Sequence, residues 1–449
     1  MKIIIAGAGE VGLHLAKLLS FESQNITLID INRDPLDEAE QNLDIRVLKG
    51  NASSISLLKE AGVEDTDMVI AVTSFESINI TICTIAKQLG AKKTIARISD
   101  AELFTAQNEI DFKAIGVDEL ISPEYLAAEE ISILLSQSAF TDSYEFDNGA
   151  LTMVGLTLQN HSPFVGMSVQ DIAKNTFELE FVLVTIQEMS SGRTLIPRGD
   201  TVLKAGDQLY FTTTKEGVPM LYKALGQKHE ELRDIMILGA SEIGYQAAKD
   251  LSEEKYNIKL IERDKKLAFE VADLLPGCLV INGDGRNIDL LLEESLEDMD
   301  AFVAVTGDSE TNIMSCLLAK SRGVKKTMAL VENIDYFKLL HSIGVDTIIN
   351  KKLLASNTIF KYVRKGQVVA LAKLSNMHAE ILEFRVYSKS KICDKRIKNI
   401  KFPREAIIGG VIRNGEGIIT LGDFKIRDGD RVVVCAMPEA IKKVEKLFK

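Results

Sequence analysis

Tryptophan is absent from the 449 residues, and cysteine, histidine and proline are scarce, with 5, 5 and 8 copies. Each scarcity removes a class of explanation. The cysteines (Cys83, Cys278, Cys316, Cys393 and Cys435) show no C-x-x-C spacing, so reduced, packed thiols are expected rather than disulfides or a thiolate metal site. The histidines (His14, His161, His229, His341 and His378) are scattered and form no set with metal-ligand spacing. No apolar run approaches the roughly 20 residues that cross a bilayer as a helix. Nothing resembling a secretory leader precedes the first strand-like run, and a cytosolic protein is expected. Cationic residues are outnumbered, 53 Lys and Arg against 65 Asp and Glu, for a net charge of −12. That balance argues against a nucleic-acid partner, which needs a basic face, and against direct binding to anionic lipid. What remains is a globular chain, 46% hydrophobic, long enough for about two to four domains.

The chain is organised around Lys2–Asp30. A β-branched run, Ile3-Ile4-Ile5-Ala6, suits a strand buried on both faces. It leads into Gly7-Ala8-Gly9-Glu10-Val11-Gly12, a G-x-G-x-x-G turn, and then an amphipathic helix carrying Val11, Leu15, Leu18 and Leu19. A second run, Ile26–Ile29, ends at Asp30, 18 residues past Gly12. In such a unit the first glycine permits the tight turn. The second lets backbone approach a pyrophosphate, and the third lets helix pack on strand. The helix N-terminus offers N–H groups to phosphate. Asp30 suits a ribose 2′-OH and would repel a 2′-phosphate, so NAD(H) or an adenine nucleotide with a free ribose is expected, rather than NADP.

Strand and helix patterns then alternate through 45–48, 54–61, 68–73, 77–89, 93–98, 119–122 and 123–137, which reads as a doubly wound parallel sheet. Ligands of such sheets sit beyond the carboxyl ends of the strands. Those ends carry Asn51 and Ala52, Thr73 and Ser74, and Arg97, a guanidinium suited to phosphate or to a surface ion pair. Residues 139–150 read as a linker. Beyond them, short alternating runs split by Gly, Pro and Ser make a small β-rich domain that closes with a helix near 217–225.

At Arg233 the chain begins again. Gly239-Ala240-Ser241-Glu242-Ile243-Gly244 repeats the turn, and Glu262 lies 18 residues past Gly244. Residues 67–99 align with 300–332 without a gap, with 14 identities in 33 positions, so the chain is an internal duplication. The division is 1–138, 144–226, 233–363 and 370–449: a Rossmann nucleotide-binding domain and a small β-rich α+β domain, each twice, with further linkers near 226–233 and 364–378. The copies differ at the turn. Ser241 replaces Gly9, Leu330 replaces Arg97, and Asp284 replaces Asn51, where an inward-facing carboxylate would repel phosphate. The first site is expected to bind a dinucleotide well, and the second to bind weakly or to take another ligand.

A dehydrogenase needs a proton donor or acceptor beside the nicotinamide and a substrate domain. The sequence offers no such group, and the small domains carry no convergent polar cluster. A duplicated nucleotide module without a catalytic group reads as a sensor, not an enzyme.

The motifs GAGEVG, LIDIN, GNA, DMVIAVTSFESIN and TIARI, each module followed by a small β domain, resemble the RCK family, the TrkA-N plus TrkA-C modules that regulate potassium conductance. Asn357–Val369, NTIFKYVRKGQVV, is similar to that family as well. Two tandem copies resemble the peripheral regulatory subunits of bacterial Trk potassium-uptake systems. The resemblance implies a homo-oligomeric ring, expected to be a tetramer, on the cytosolic face of a membrane-embedded pore subunit. It implies NAD(H) and ATP or ADP as ligands, and gating of the pore by ligand exchange. By matching motif, it assigns ligand contacts to Gly7, Ala8, Gly9, Glu10, Val11, Asp30, Asn51, Ala52, Thr73, Ser74 and Arg97. In the second copy it assigns them to Gly239, Ala240, Ser241, Glu242, Ile243 and Glu262. An NAD-dependent oxidoreductase and the regulator of a different cation transporter are the alternatives.

Overall fold

The computed structural model describes all residues except 22–23, 137–139, 148, 176–179, 190, 227–231, 255, 334–342, 364–367 and 373–378. The chain divides into two compact units. One holds Met1–Glu129 with Ala240–Asp250 and Asn350–Ile359; the other holds Glu130–Gly239, Leu251–Ile349 and Phe360–Lys449.

In the first unit, β1 (Lys2–Ala6), β2 (Asn25–Asp30), β3 (Arg46–Lys49), β4 (Met68–Ala71), β5 (Lys93–Arg97) and β6 (Glu119–Ile121) form one sheet in the order β3-β2-β1-β4-β5-β6. All its pairings are parallel. Ile3–Ala6 of β1 and the whole of β4 are buried, because covering helices hide both faces of a parallel sheet. The strand order reverses between β1 and β4, which opens a crevice at their carboxyl ends.

The second unit begins with a correction. Asp142–Phe146, inside the stretch read as a linker, forms β7 and pairs antiparallel with β8 (Leu151–Thr157). Ser143 and Phe146 on β7 are buried, so this strand is an integral part of the sheet. With β9 (Phe181–Glu188), β10 (Arg193–Leu195) and β11 (Gln208–Thr213) the order is β10-β9-β11-β8-β7. One face of that sheet is covered by helices Val169–Asn175 and Gly217–Ala224, through Ile172, Leu221 and Tyr222. The repeat follows: β12 (Asp234–Leu238), β13 (Asn257–Glu262), β14 (Cys278–Asn282), β15 (Ala301–Ala304), β16 (Lys326–Leu330) and β17 (Thr347–Ile349), in the order β14-β13-β12-β15-β16-β17. Residues 227–231, 364–367 and 373–378 of the other two expected linkers lie outside the described residues. Between the last two stretches, Val368–Ala372 forms β18, antiparallel to β19 (Glu380–Arg385), which again shortens the linker that the sequence suggested. β20 (Ala406–Arg413), β21 (Glu416–Ile418) and β22 (Arg431–Ala436) complete the sheet β18-β19-β22-β20-β21.

The two small domains share a core. Phe146, Leu151, Met153 and Val184 of the first pack with Ile381, Ile412, Val433 and Cys435 of the second. The backbones meet so closely that a Cβ on Gly417 would lie 1.8 Å from the Ala150 carbonyl oxygen. All five cysteines are free thiols; burial pushes Cys83 up to about 12, so it is an inert packing residue. Arg431 pairs with Asp147 and, at 3.3 Å, with Glu383, whose side chain is 2% exposed. Removing one partner of a buried pair leaves the other charge uncompensated. Arg431→Met is therefore expected to destabilise the paired small domains by about 3 kcal/mol, measured as an earlier denaturant transition than in the wild-type chain.

Candidate functional site

The first copy's candidates converge on one cleft of about 530 Å³, within the usual span of small-molecule sites. Gly7, Ala8, Gly9, Glu10 and Val11 line it from the turn, Asp30 from β2, Asn51 and Ala52 after β3, Thr73 and Ser74 after β4, and Arg97 from β5. The glycines divide their labour. Gly7 has φ +109°, and a Cβ there would lie 2.8 Å from the Val72 carbonyl oxygen. A Cβ on Gly12 would lie 1.9 Å from the Gly7 oxygen, so Gly12 serves helix packing and does not line the cleft. At Gly9 a Cβ meets nothing within 4 Å. Packing does not require that glycine; the close approach of a ligand to the backbone would.

Asp30 braces the turn: its Oδ2 accepts from the Ala8 N–H at 2.6 Å and its Oδ1 from the Asn32 N–H at 2.8 Å. An ionised carboxylate has lone pairs left for ribose hydroxyls. Asn51 spends its Oδ1 on the N–H and hydroxyl of Ser53, which leaves its Nδ2 donors for a ligand. Val11, Ala8 and Ala52 are buried, so they offer backbone groups. Exposed Phe75 and Ile31 also line the cleft and supply apolar surface that the sequence reading overlooked.

A buried carboxamide fixes the far rim. Asn79 Oδ1 accepts from the Thr73 N–H at 2.8 Å and hydroxyl at 2.7 Å, and its Nδ2 donates to the carbonyls of Thr73 and Arg97 at 3.2 and 2.9 Å. Asn312 repeats the arrangement with Thr306 and Leu330. The identity of Asn79 and Asn312 across the duplication was the signal that could have flagged this residue.

Arg97 donates to Glu124 Oε1 at 2.9 Å. It is not the rim's sole cation: Lys351 lines the same cleft, with Nζ 3.8 Å from that oxygen. Next to it, Lys352 pairs with Glu10 at 2.8 Å. Both lysines belong to the second copy, at the start of helix Lys351–Val363, and no local motif marks them.

The second copy's candidates divide between the two units. Ala240, Ser241, Glu242 and Ile243 belong to the unit just described, and Gly239 and Glu262 to the other. Ser241 Oγ accepts from the Gly244 N–H at 3.4 Å, as an N-cap residue does. Partial removal from water, then the carboxylates of Asp100, Glu124 and Glu76, raise Glu242 above the usual carboxylate range. In the other unit, Glu262 Oε1 accepts from the Asp264 N–H at 2.7 Å. Asp284 does not stand as the bare repelling charge that was expected. Arg286 grips it, with contacts of 2.6 to 3.2 Å, and holds its carboxyl down at about 2.

A family model, the TrkA-N domain, matches residues 3–123 and 235–351, and the TrkA-C domain matches 153–226 and 381–449. The chain belongs to the TrkA family. Trk system potassium uptake protein TrkA homolog 2 of Methanosarcina mazei is 34% identical over 458 residues, covering 100% of both chains. Trk system potassium uptake protein TrkA of Haemophilus influenzae is 32% identical, covering 100% of this chain and 99% of its own. The crystal structure of the GsuK RCK domain matches with a TM-score of 0.62 at 18% identity, covering 100% and 94% of the two chains. The GsuK channel bound to NAD matches with a TM-score of 0.62 at 17% identity, covering 100% and 78%. These structural likenesses establish the fold. The TrkA-N matches each contain one glycine turn, and only the first has the open second glycine.

Two outcomes test this geometry. Gly9→Ala is expected to keep the melting temperature of the wild type, whereas Gly12→Ala costs about 2–4 kcal/mol through backbone overlap; a thermal melt of each variant separates the two. For Glu242, the raised carboxyl means that the folded chain holds the proton more tightly than the unfolded chain, whose ordinary value is 4.5. Stability is therefore lost as pH rises through that window. Glu242→Gln should stabilise the protein at pH 7 by up to about 1 kcal/mol, and the gain should vanish below the ordinary carboxylate value.

Proposed function

We propose that this chain is the nucleotide-sensing regulatory subunit of a potassium-uptake system. In this reading NAD(H), or ADP or ATP, occupies the first-copy cleft. The subunit works as a homo-oligomeric ring, a tetramer, at the inner face of the membrane, held there by a membrane-embedded pore subunit that it gates. No helix among the described residues is long and apolar enough to cross a membrane, and in this reading a separate chain supplies the pore. Membership of the TrkA family supports the transport role, and the NAD and ADP named for the GsuK structures support the ligand class. The four-domain division belongs to the same proposal, with the small domains starting at 142 and 368 rather than at 144 and 370, so that β7 and β18 stay whole.

The observation that carries the reading is the open space above Gly9, flanked by Asp30 and Arg97. Pyrophosphate can approach backbone N–H groups there, with a ribose acceptor on one side and a guanidinium on the other. Nothing in the arrangement requires a bond to be made or broken. Binding energy goes into selecting one conformation of the ring. Moving a population from 1:99 to 99:1 takes about 5.5 kcal/mol of differential binding, which several sites in a ring can supply together.

Calorimetric titration of the purified chain with NADH, NAD, ATP and ADP tests the site. Asp30→Ala combined with Arg97→Ala should weaken binding by roughly a hundredfold or more, as befits two lost charge-assisted contacts. Undiminished binding would move the ligand to the second copy. Nucleotide-dependent potassium flux through the reconstituted pore subunit tests the gating role, and Arg97→Ala should abolish the dependence. Oxidation of NADH coupled to substrate turnover would support the oxidoreductase alternative instead.

A further inference from the structure

The second copy has lost the ion pair that stands on the rim of the first. Strands β6 and β17 correspond, and so do the helix caps that follow them. Ser122 Oγ accepts from the Tyr125 N–H, and Asn350 Oδ1 accepts from the Leu353 N–H. In that alignment Arg97 corresponds to Leu330, Pro123 to Lys351, and Glu124 to Lys352. The second copy thus carries lysines where the first copy carries Pro123 and Glu124. Both serve the first copy: Lys352 meets Glu10, and Lys351 reaches into the cleft beside Glu124.

Lys352 Nζ stands 2.8 Å from Glu10 Oε2, and Lys351 Nζ stands 3.8 Å from Glu124 Oε1, the oxygen that accepts from Arg97 at 2.9 Å. The array around that oxygen is incomplete. Arg97 Nε and Glu124 Oε2 are buried without a hydrogen-bond partner, and Glu124 is 92% buried, being 8% exposed. A buried guanidinium donor without an acceptor costs free energy that an incoming anionic oxygen returns. The Lys351 side chain is 24% exposed, long and flexible, and can shift toward an anion placed beside Arg97.

We propose that Lys351 is a phosphate-binding residue of the first-copy cleft, donated by the second copy. A nucleotide carrying a di- or triphosphate is then held by both copies at once: Arg97 and the glycine turn from one, Lys351 from the other. The inference rests on the nucleotide reading of that cleft and adds the residue that makes the site answer to phosphate.

The test uses the full chain, with ADP as the probe and adenosine as its phosphate-free counterpart. ADP is titrated by calorimetry, and adenosine is measured by competition against ADP. Lys351→Met should weaken ADP by roughly tenfold or more, leave adenosine unchanged, and leave the ligand-free melting temperature close to wild type. Lys351→Arg keeps a cation and should recover most of the ADP affinity. Unchanged ADP binding in Lys351→Met overturns the proposal, and so does an equal loss for both probes, since Lys351 would then act only by shaping the cleft. If Lys351→Met is unstable, Lys351→Gln serves in its place under the same criteria. Failure of the underlying reading looks different: the wild-type chain would bind none of the nucleotides, or would bind ADP equally well after Asp30→Ala.

Discussion

The carboxyl ends of β4 and β5 are fixed by one side chain, Asn79, and those of β15 and β16 by its counterpart Asn312. Each carboxamide takes a backbone N–H and a hydroxyl on its oxygen and gives its two protons to two carbonyls. Strand ends at a switch point have no ladder partner on the side where the sheet opens, and a buried backbone group left unpaired there costs free energy. A fully satisfied amide closes that account and sets the spacing between Thr73 and Arg97, and so the width of the rim. Both copies keep this device, although their rims carry different chemistry. It belongs to the scaffold, and the charges around it are what the duplication was free to change.

Those charges have diverged in opposite senses. Glu10 and Glu242 occupy the same position in the two turns. Glu10 faces Lys352 at 2.8 Å, whereas Glu242 is raised by partial removal from water and then by the carboxylates of Asp100, Glu124 and Glu76. One junction is attractive and the other repulsive, within the same compact unit. Ion pairs of this exposure are each worth little in stability. Their effect is on which anion or cation a site tolerates. The duplicated lysines diverged as well. Lys93 pairs with Glu119 near the surface at 3.1 Å. Its counterpart Lys326 is buried, donates to the Phe140 carbonyl, and is pushed down to about 8 by the loss of water around it. The same residue type at the same strand position thus has two environments, because different segments cover it.

Much of this was legible in the chain. The turn, Asp30, the strand order implied by six alternating units and the duplication all rest on local pattern: β-branched runs, glycine punctuation and an amphipathic helix. The small domains were harder. β7 and β18 lie in stretches read as linkers, because Asp, Ser, Gly and Asn near a strand carry the composition of a turn. Pairing with β8 and β19 overrides that composition, as tertiary context does for short strands. Asp284 was read as a charge that would repel phosphate if it faced inward. Arg286, two residues on, neutralises it, and the sequence contains both residues but not the side-chain conformation that joins them.

The sequence by itself determined the strands and helices of the nucleotide-binding units, that the unit occurs twice, and that the first turn has an open glycine where the second has serine. Those features follow from periodicity and from steric demands within a few residues. Tertiary structure alone decided the electrostatics of the cleft. Arg97 meets Glu124 across 27 positions of chain, and Lys351 stands beside them although it lies more than 200 positions from either, yet each contact to Glu124 is within 4 Å. Coulombic interaction falls with distance through space and is indifferent to distance along the chain, so no local pattern could have announced it.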